Sequence, residues 1–126
     1  MPTQRMISVG REVQRAIAKI LSDEIDDPLI GFVTVTDVEM SPDLRHAKVY
    51  LSVLGSEEEK ADSMKGIRRA GKFIRGQLAD RVELRYVPSL RFELDETAEK
   101  AQRIEELLRS EAEELDIEEP DADGSN

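Results

Sequence analysis

Apolar residues near the start of the chain recur every three or four positions, with one adjacent pair, which is the spacing of one face of an amphipathic helix. They are Val9, Val13, Ile17, Ile20, Leu21 and Ile25. The pattern predicts a first helix over residues 6–25, with Arg11 and Arg15 on another side. We expect the helix to end before Pro28, because proline disfavours a helical conformation in the residue before it.

The next two segments alternate between apolar and polar residues, as strands do. FVTVTDVEM (32–40) is rich in β-branched residues, but its alternation is imperfect, which predicts a strand with a bulge. Residues 47–53 alternate strictly and predict a second strand with one buried face. The turn-forming SPDLR (41–45) between them completes a predicted β-hairpin.

The middle of the chain predicts a helix with an apolar side and a basic side. Ser56 is a suitable N-cap, followed by three glutamates that suit the positive end of the helix dipole. Lys65, Arg68, Lys72 and Arg75 recur at helical spacing, about a quarter to a third of a turn from the apolar stripe. The apolar stripe consists of Met64, Ile67, Gly71, Ile74 and Leu78.

Glycine in this stretch needs an explanation, because an interior helical glycine costs roughly 0.8–1.0 kcal/mol relative to alanine. Ala70 and Gly71 are two small residues in succession, and they predict a kink in the helix. The alternative is that Gly71 only allows close packing of the helix on the sheet.

The last third of the chain predicts one more strand and one more helix. Residues 83–95 alternate as a strand, and Pro88 within them indicates an edge or a bulge. Residues 96–115 carry an apolar face at helical spacing, and residues 116–126 have the composition of a disordered tail. The elements predict an α+β domain with a three-stranded sheet and helices on one face.

Charge is distributed very unevenly along the chain. The formal net charge is −10, but residues 1–95 carry only −1 of it, while residues 65–91 hold eight basic and two acidic residues. Such asymmetry is typical of a nucleic-acid-binding body with an acidic tail. An ordinary solvated surface explains the charge distribution equally well when no other feature is considered.

The absence of cysteine excludes disulfides, zinc fingers and thiol chemistry. With no apolar run of membrane length and no signal peptide, we expect a cytoplasmic protein.

Candidate catalytic chemistry is sparse. Asp37 and Glu39 share a strand face, the minimum for a weak metal site, but no third ligand is evident. The single histidine, His46, is more typical of a strand surface than of a catalytic base. Tyr50 and Tyr86 can stack on bases, although so few aromatic residues favour packing roles. We therefore expect no metal and no cofactor.

An αββααβ order with a basic helical middle is that of the type II KH fold. In that fold, a Gly-x-x-Gly loop between two helices clamps the nucleic-acid backbone. The chain has no such motif, because Gly66, Gly71 and Gly76 are each five residues apart.

Several motifs carry a family resemblance through most of the predicted domain. The first motif is DPLIG (27–31), which leads into VTVT (33–36). The second is the pattern V-x-x-S-x-D-L-x-x-A-x-V-Y, which is matched here by Val38, Ser41, Asp43, Leu44, Ala47, Val49 and Tyr50. The others are FIR (73–75), RYVPSLRF (85–92) and a set in the last predicted helix, Arg103, Ile104, Leu107 and Leu108. In this order and spacing, the chain resembles the ribosome-binding factor A family of bacterial small-subunit assembly factors.

The resemblance implies a KH-like fold in which a helix–kink–helix element replaces the Gly-x-x-Gly loop, followed by a C-terminal helix. The family carries Ala-x-Gly at the kink, whereas this chain has Ala70-Gly71-Lys72, with the glycine one place early. The residue at the apex of the kink is thus left open. Ala101 stands where many members carry glycine.

The resemblance also implies a function without catalysis. The chain is expected to act as a monomer on the immature 30S subunit and its 16S rRNA, near the decoding region and the 5′-end helix. It would assist late maturation and rRNA processing, with a ribosome-associated GTPase as release partner and no membrane involved.

The basic residues are the predicted RNA contacts, and they should position the protein rather than recognise sequence. The phosphate contacts are Lys65, Arg68, Arg69, Lys72 and Arg75, flanked by Arg81, Arg85 and Arg91, with Arg5, Arg11 and Arg15 as a second tier. The predicted layout is an RNA-binding domain over residues 1–95, an acidic helix over 96–115 packed on it or extending from it, and a tail over 116–126.

Two functions from other classes stay open. One is a protein-interaction adaptor acting through the acidic C-terminal helix. Two other roles for the same helix are a self-shielding tail that weakens non-specific RNA binding and a salt-adapted surface. The other is a metal-dependent enzyme on the face that Asp37 and Glu39 share.

Overall fold

A computed structural model describes residues 1–115, and the predicted tail over 116–126 lies outside the described residues. The elements in chain order are α1 (Gln4–Asp23), β1 (Val33–Met40), β2 (His46–Val53), α2 (Glu57–Arg69), α3 (Gly71–Arg81), β3 (Ser89–Leu94) and α4 (Thr97–Leu115). The predicted αββααβ order followed by a C-terminal helix is confirmed.

The sheet has the strand order β1-β2-β3. β1 and β2 form the predicted antiparallel hairpin, and the ladder shifts register between Val35 and Asp37, so the predicted bulge is confirmed. β2 and β3 are parallel, with Val49 opposite Phe92. A parallel pair needs a crossover connection, and here the helix pair α2–α3 supplies it.

The helices bury their apolar faces against one side of this sheet. The fully buried side chains come from α1, α2 and α3 and from the central strand β2; among them are Val13, Ile17, Ile20, Val49, Leu51, Ile67, Ile74 and Leu78. The apolar stripes predicted for the first and central helices therefore lie in the core. Because β2 alternates strictly, Lys48 between Ala47 and Val49 faces away from the helices and is exposed.

The first helix starts two residues earlier and ends two residues earlier than its apolar stripe predicted. Thr3 is the N-cap, and its hydroxyl accepts a hydrogen bond from the backbone N–H of Met6 at 3.1 Å. The helix ends at Asp23, with Glu24 as C-cap. The stripe identifies the buried face, but local capping decides where the helix ends.

The central helix is broken at Ala70, which closes α2 and opens α3 with φ −84° and ψ 5°. Its N–H is shared between the carbonyls of Gly66 and Ile67, as in a tightened last turn. Gly71 has no positive φ, and a Cβ on it would lie 3.9 Å from the Phe92 ring, an ordinary contact. Neither conformation nor space therefore requires glycine there. As the first residue of α3, Gly71 also avoids the full cost of an interior helical glycine.

The third strand is shorter than residues 83–95, and that prediction was wrong at its start. β3 covers only Ser89–Leu94. Pro88 has no N–H to donate to a ladder, and the carbonyls of Val87 and Pro88 accept hydrogen bonds from Arg75 instead of from a strand. The residues before Ser89 form a loop.

The chain divides into two units between Asp95 and Glu96. In the described part of the second unit, α4 has no buried residue, and it exposes Ile104, Leu107 and Leu108. The role assigned to this helix in the domain layout stays a prediction.

Candidate nucleic-acid interface

Five of the seven cations of the central helix pair form the group that we call the central basic cluster: Lys65, Arg68, Arg69, Lys72 and Arg75. All five are exposed, three on α2 and two on α3. The break at Ala70 divides what the periodicity predicted as one stripe into two sets, one on each side of the break. The members differ in what they bind within the protein.

Lys65 and Lys72 are the free cations of the cluster. In the part of the chain that the structure describes, neither ammonium is paired with a carboxylate or hydrogen-bonded to a neighbouring group. Lys72 also lies in the first turn of α3, where the positive end of the helix dipole makes the local electrostatic potential more positive. These two lysines can therefore bind phosphates without breaking any contact.

Arg68 and Arg75 attach the helix pair to β3 and to the loop before it. Arg68 Nη2 donates to the carbonyl of Phe92 at 3.0 Å. Arg75 Nε donates to the carbonyl of Pro88 at 3.0 Å, and its Nη2 donates to that of Val87 at 2.8 Å. A guanidinium has five N–H donors, so both arginines keep some for an external acceptor. Their charges are not compensated by a carboxylate in these contacts, but their first role is to hold the fold.

Arg69 is the member of the cluster whose charge is offset. Its Nη2 lies 3.2 Å from Asp27 Oδ2. A hydrogen bond from the backbone N–H of Leu29 holds the pKa of Asp27 below its ordinary value, and Arg69 adds to this effect. The carboxylate is therefore charged at neutral pH, and the pair links α2 to the loop that follows α1.

The flanking arginines differ in what they contact, and Arg91 lines a cavity together with Arg68 of the cluster. Arg81 is paired with Glu24 at 3.5 Å, and Arg91 with Glu93 at 2.7 Å. Arg91 alternates with the buried Phe92 on β3, so it faces away from the core. Arg85 is placed differently again, because its guanidinium carbon lies 5.6 Å from the centre of the Tyr86 ring.

The arginines of the first helix are exposed, and among the described residues none of them is paired with a carboxylate. Arg11 and Arg5 line two different cavities. Arg11 contributes to one that also contains Asp37 and Glu39, and Arg5 to one of about 470 Å³ that contains Arg85. The structure thus separates the second-tier residues from one another.

Arg45 lies in the turn between β1 and β2 and was not among the predicted RNA contacts. Its guanidinium carbon is 4.0 Å from the centre of the Tyr86 ring. The two residues are brought together by the parallel pairing of β2 with β3, in which the N–H of Ser89 donates to the carbonyl of Arg45 at 2.9 Å. No local sequence pattern predicts this contact, because it depends on a long-range strand pairing.

The carboxylates proposed as a metal site have other partners. Asp37 accepts a hydrogen bond from the N–H of Val38 at 2.9 Å, and Glu39 accepts one from the hydroxyl of Tyr50 at 3.2 Å. Burial raises the pKa of Tyr50, and Glu39 raises it further. Within residues 1–115, no group of three or more His, Asp or Glu side chains is arranged to hold a metal ion.

Comparison with known proteins assigns the family. The family model of ribosome-binding factor A matches residues 5–108, which include α1 except its first residue and every element from β1 to β3. The chain belongs to the ribosome-binding factor A family. The ribosome-binding factor A of Natranaerobius thermophilus is 45% identical over 109 residues, which cover 86% of this chain and 83% of that protein.

Solved structures of the ribosome-binding factor A family agree with the fold. The crystal structure of the Thermus thermophilus factor has a TM-score of 0.63 at 27% identity, over 71% of this chain and 94% of that one. A homology model of the Thermus thermophilus factor, fitted into a cryo-electron microscopy map of a complex with the 30S subunit, has a TM-score of 0.61 at 26% identity and covers 73% of this chain and 97% of that one. The expected KH-like fold, with a broken helix in place of the Gly-x-x-Gly loop, is thereby confirmed.

No helix in the described part of the chain is both long and apolar enough to cross a membrane.

Proposed function

We propose that this chain binds the immature small ribosomal subunit through phosphates of its 16S rRNA and assists late maturation without making or breaking a covalent bond. The observation that carries the proposal is the pair of free lysines, Lys65 and Lys72, exposed on the two sides of the helix break. Membership of a family that includes a factor fitted into a 30S complex supports the choice of partner. The site of action is accordingly the cytoplasm.

The mechanism is electrostatic. Lys65 and Lys72 bind phosphates as point charges. Arg68 and Arg75 hold the helix pair against β3 and the loop before it, and offer their remaining donors. Such contacts fix position and orientation and carry no sequence information. Specificity then comes from the shape of the folded RNA. Holding an rRNA segment until processing is complete, followed by release with the help of a GTPase, requires no catalytic group on this chain.

The test reverses the charge of the free lysines in Lys65→Glu with Lys72→Glu and measures co-sedimentation with small-subunit precursors. These positions are preferable to Arg68, since Arg68 also supports the fold through Phe92. The control, Lys19→Glu with Lys48→Glu, changes the net charge equally on α1, where it also breaks the ion pair of Lys19 with Asp23, and on the exposed face of β2.

We expect co-sedimentation to be lost in the first double variant and retained in the control. Retention in both variants contradicts the proposal. Equal loss in both variants also contradicts it, because binding would then depend on net charge rather than on the central basic cluster.

One observation favours a second function, a protein-interaction adaptor. In α4, the apolar residues Ile104, Leu107 and Leu108 are between 58% and 63% exposed. An adaptor acting through this helix loses its partner on Ile104→Ser with Leu108→Ser, and its binding depends little on salt. Binding to RNA phosphates instead weakens steeply as salt rises, because counterions are released.

A further inference from the structure

Three arginines and one tyrosine converge beside the turn between β1 and β2, and none of them belongs to the central basic cluster. They line a cavity of about 470 Å³. Arg5 comes from the first turn of α1, Arg45 from the turn, and Arg85 with Tyr86 from the loop before β3. Three separate parts of the chain therefore supply one cationic and aromatic surface, which we call the Tyr86 site.

Tyr86 is not a packed core residue. It is 47% exposed, and among the described residues its hydroxyl has no hydrogen-bond partner. Arg45 stacks closely, with its guanidinium carbon 4.0 Å from the ring centre, whereas Arg85 is looser at 5.6 Å. The Tyr86 ring is thus held in place on the surface by its cation–π contact with Arg45. Arg85 is held less tightly and can move away from the ring.

The backbone around Arg45 is held firmly. Leu44 has φ 61°, in the left-handed region that a leucine rarely adopts. Asp43 accepts hydrogen bonds from the N–H of Arg45 at 3.1 Å and from the hydroxyl of Ser41 at 2.7 Å. The strand pairing through Ser89 fixes the carbonyl of Arg45 from the other side. Both hydrogen bonds use Oδ1 of Asp43, the one carboxylate that lines the cavity, and neither uses its Oδ2.

Among the residues that the structure describes, none of the three arginines has a close carboxylate partner, although the charge of Arg45 helps to lower the pKa of Asp43 in the same cavity. In the described part of the chain, neither Arg5 nor Arg45 nor Arg85 forms an ion pair with a carboxylate. Guanidinium groups bind phosphate oxygens with two N–H donors at once, and they also stack on flat rings. A ligand with one aromatic ring and one phosphate satisfies both halves of the site.

We propose that the Tyr86 site binds an unpaired nucleotide of rRNA, and this rests on the proposed function. The base stacks on Tyr86 in the place that the guanidinium of Arg85 now occupies, and Arg85 turns with Arg5 to the phosphate. An exposed aromatic ring binds bases of single strands, because in a duplex the base faces are already stacked on their neighbours. The free lysines of the central basic cluster, by contrast, bind phosphates of paired and unpaired RNA alike.

The experiment measures fluorescence anisotropy of a labelled single-stranded RNA of about twelve nucleotides, within the length that single-strand sites span. The same strand annealed to its complement is the second probe, and the full chain is used throughout. Tyr86→Leu removes the ring, Tyr86→Phe keeps it, and Tyr50→Leu removes the tyrosine on β2 as a control. Arg5→Gln is a second, exposed test position at the start of α1.

We expect Tyr86→Leu to weaken single-strand binding about tenfold, from the loss of one stacked base, and to leave duplex binding unchanged. Tyr86→Phe and Tyr50→Leu should bind as the unaltered chain does, and Arg5→Gln should weaken single-strand binding severalfold. Unchanged single-strand affinity in Tyr86→Leu overturns the inference. Equal weakening of both probes also overturns it, because the site would then be a phosphate site without base contact.

The two proposals can fail separately. If the Lys65→Glu and Lys72→Glu variant loses small-subunit binding while Tyr86→Leu changes nothing, only the Tyr86 site is refuted. If the lysine variant still binds small subunits fully, the proposed function is refuted.

Discussion

Gly10 on α1 lies so close to the carbonyl of Val38 on β1 that a Cβ at residue 10 would stand 2.8 Å from that oxygen. The obstacle is backbone within the sheet, which cannot move as a flexible side chain can. Val9 and Val13 are buried on the same helix, so α1 has no freedom to withdraw without opening the core. This contact determines how closely the first helix packs on the edge strand.

Gly10→Ala should therefore destabilise the domain, although alanine favours helices. We expect the free energy of unfolding to fall by about 1–3 kcal/mol, the usual cost of overpacking, in urea denaturation. Gly76→Ala is the matched control, because Gly76 is exposed within α3 and nothing lies within 4 Å of its added Cβ. That variant should gain up to about 1 kcal/mol from helix propensity. Equal effects at the two positions would show that the contact with Val38 has no energetic weight.

Gly71→Ala should leave both the fold and small-subunit binding unchanged. The break lies in the backbone of Ala70, and the space beside Gly71 accepts a methyl group 3.9 Å from Phe92. Thermal unfolding and co-sedimentation measure the two effects. A loss of binding with unchanged stability would instead assign the bend to the glycine itself.

Arg75 and Lys72 should separate stability from binding, although they are one turn apart on α3. Arg75→Met removes two hydrogen bonds to the carbonyls of Val87 and Pro88, and we expect a loss of about 1–3 kcal/mol in the free energy of unfolding. Lys72→Met should leave that free energy unchanged and weaken RNA binding. The reverse assignment in denaturation experiments would contradict the division of roles within the central basic cluster.

The salt dependence of binding should report which cations meet phosphates. Lys65→Ala and Lys72→Ala should each lower the slope of log affinity against log salt by about 0.7–0.9, the value for one phosphate contact. Arg69→Ala and Arg81→Ala should lower it less, because Asp27 and Glu24 already neutralise those charges. Titrations of labelled RNA at several salt concentrations give the slopes. Equal slopes for all four variants would refute the distinction between free and paired cations.

Acid should destabilise the turn that carries Arg45. The hydroxyl of Ser41 and the N–H of Arg45 hold the pKa of Asp43 below its ordinary value, so its charged form is favoured by folding. The resulting contribution of Asp43 to the free energy of unfolding is fully present above the pKa that Asp43 has in the unfolded chain, which is near 4. It is lost as the pH falls through the lower pKa that Asp43 has in the folded protein.

Asp43→Asn keeps the oxygen acceptor but cannot ionise. It should be less stable than the unaltered chain at neutral pH and match it in strongly acidic solution, in thermal unfolding followed across that range. Ser41→Ala removes the largest cause of the shift and should reduce the same difference. A constant gap between Asp43→Asn and the unaltered chain at every pH would exclude this linkage.

Sequence alone determined the parts of the molecule that depend on periodicity and on local chemistry. The apolar stripes of α1, α2 and α3 occupy the core as their spacing predicted, because a helix must bury the one face that is apolar. Ser56 caps α2 as expected, since an N-cap hydroxyl satisfies backbone groups only three residues away. The bulge in β1 was visible as a fault in its alternation, and the motif order indicated the family.

Tertiary structure alone decided which of the predicted cations are free. Lys65 and Arg69 are four residues apart and look equivalent in the sequence, yet only Arg69 meets a carboxylate, on a loop some forty residues earlier. Arg45 and Tyr86 likewise come together only because β2 and β3 pair in parallel. Helical and strand periodicities extend over a few residues, whereas these contacts depend on how distant elements pack, so no local pattern contains them.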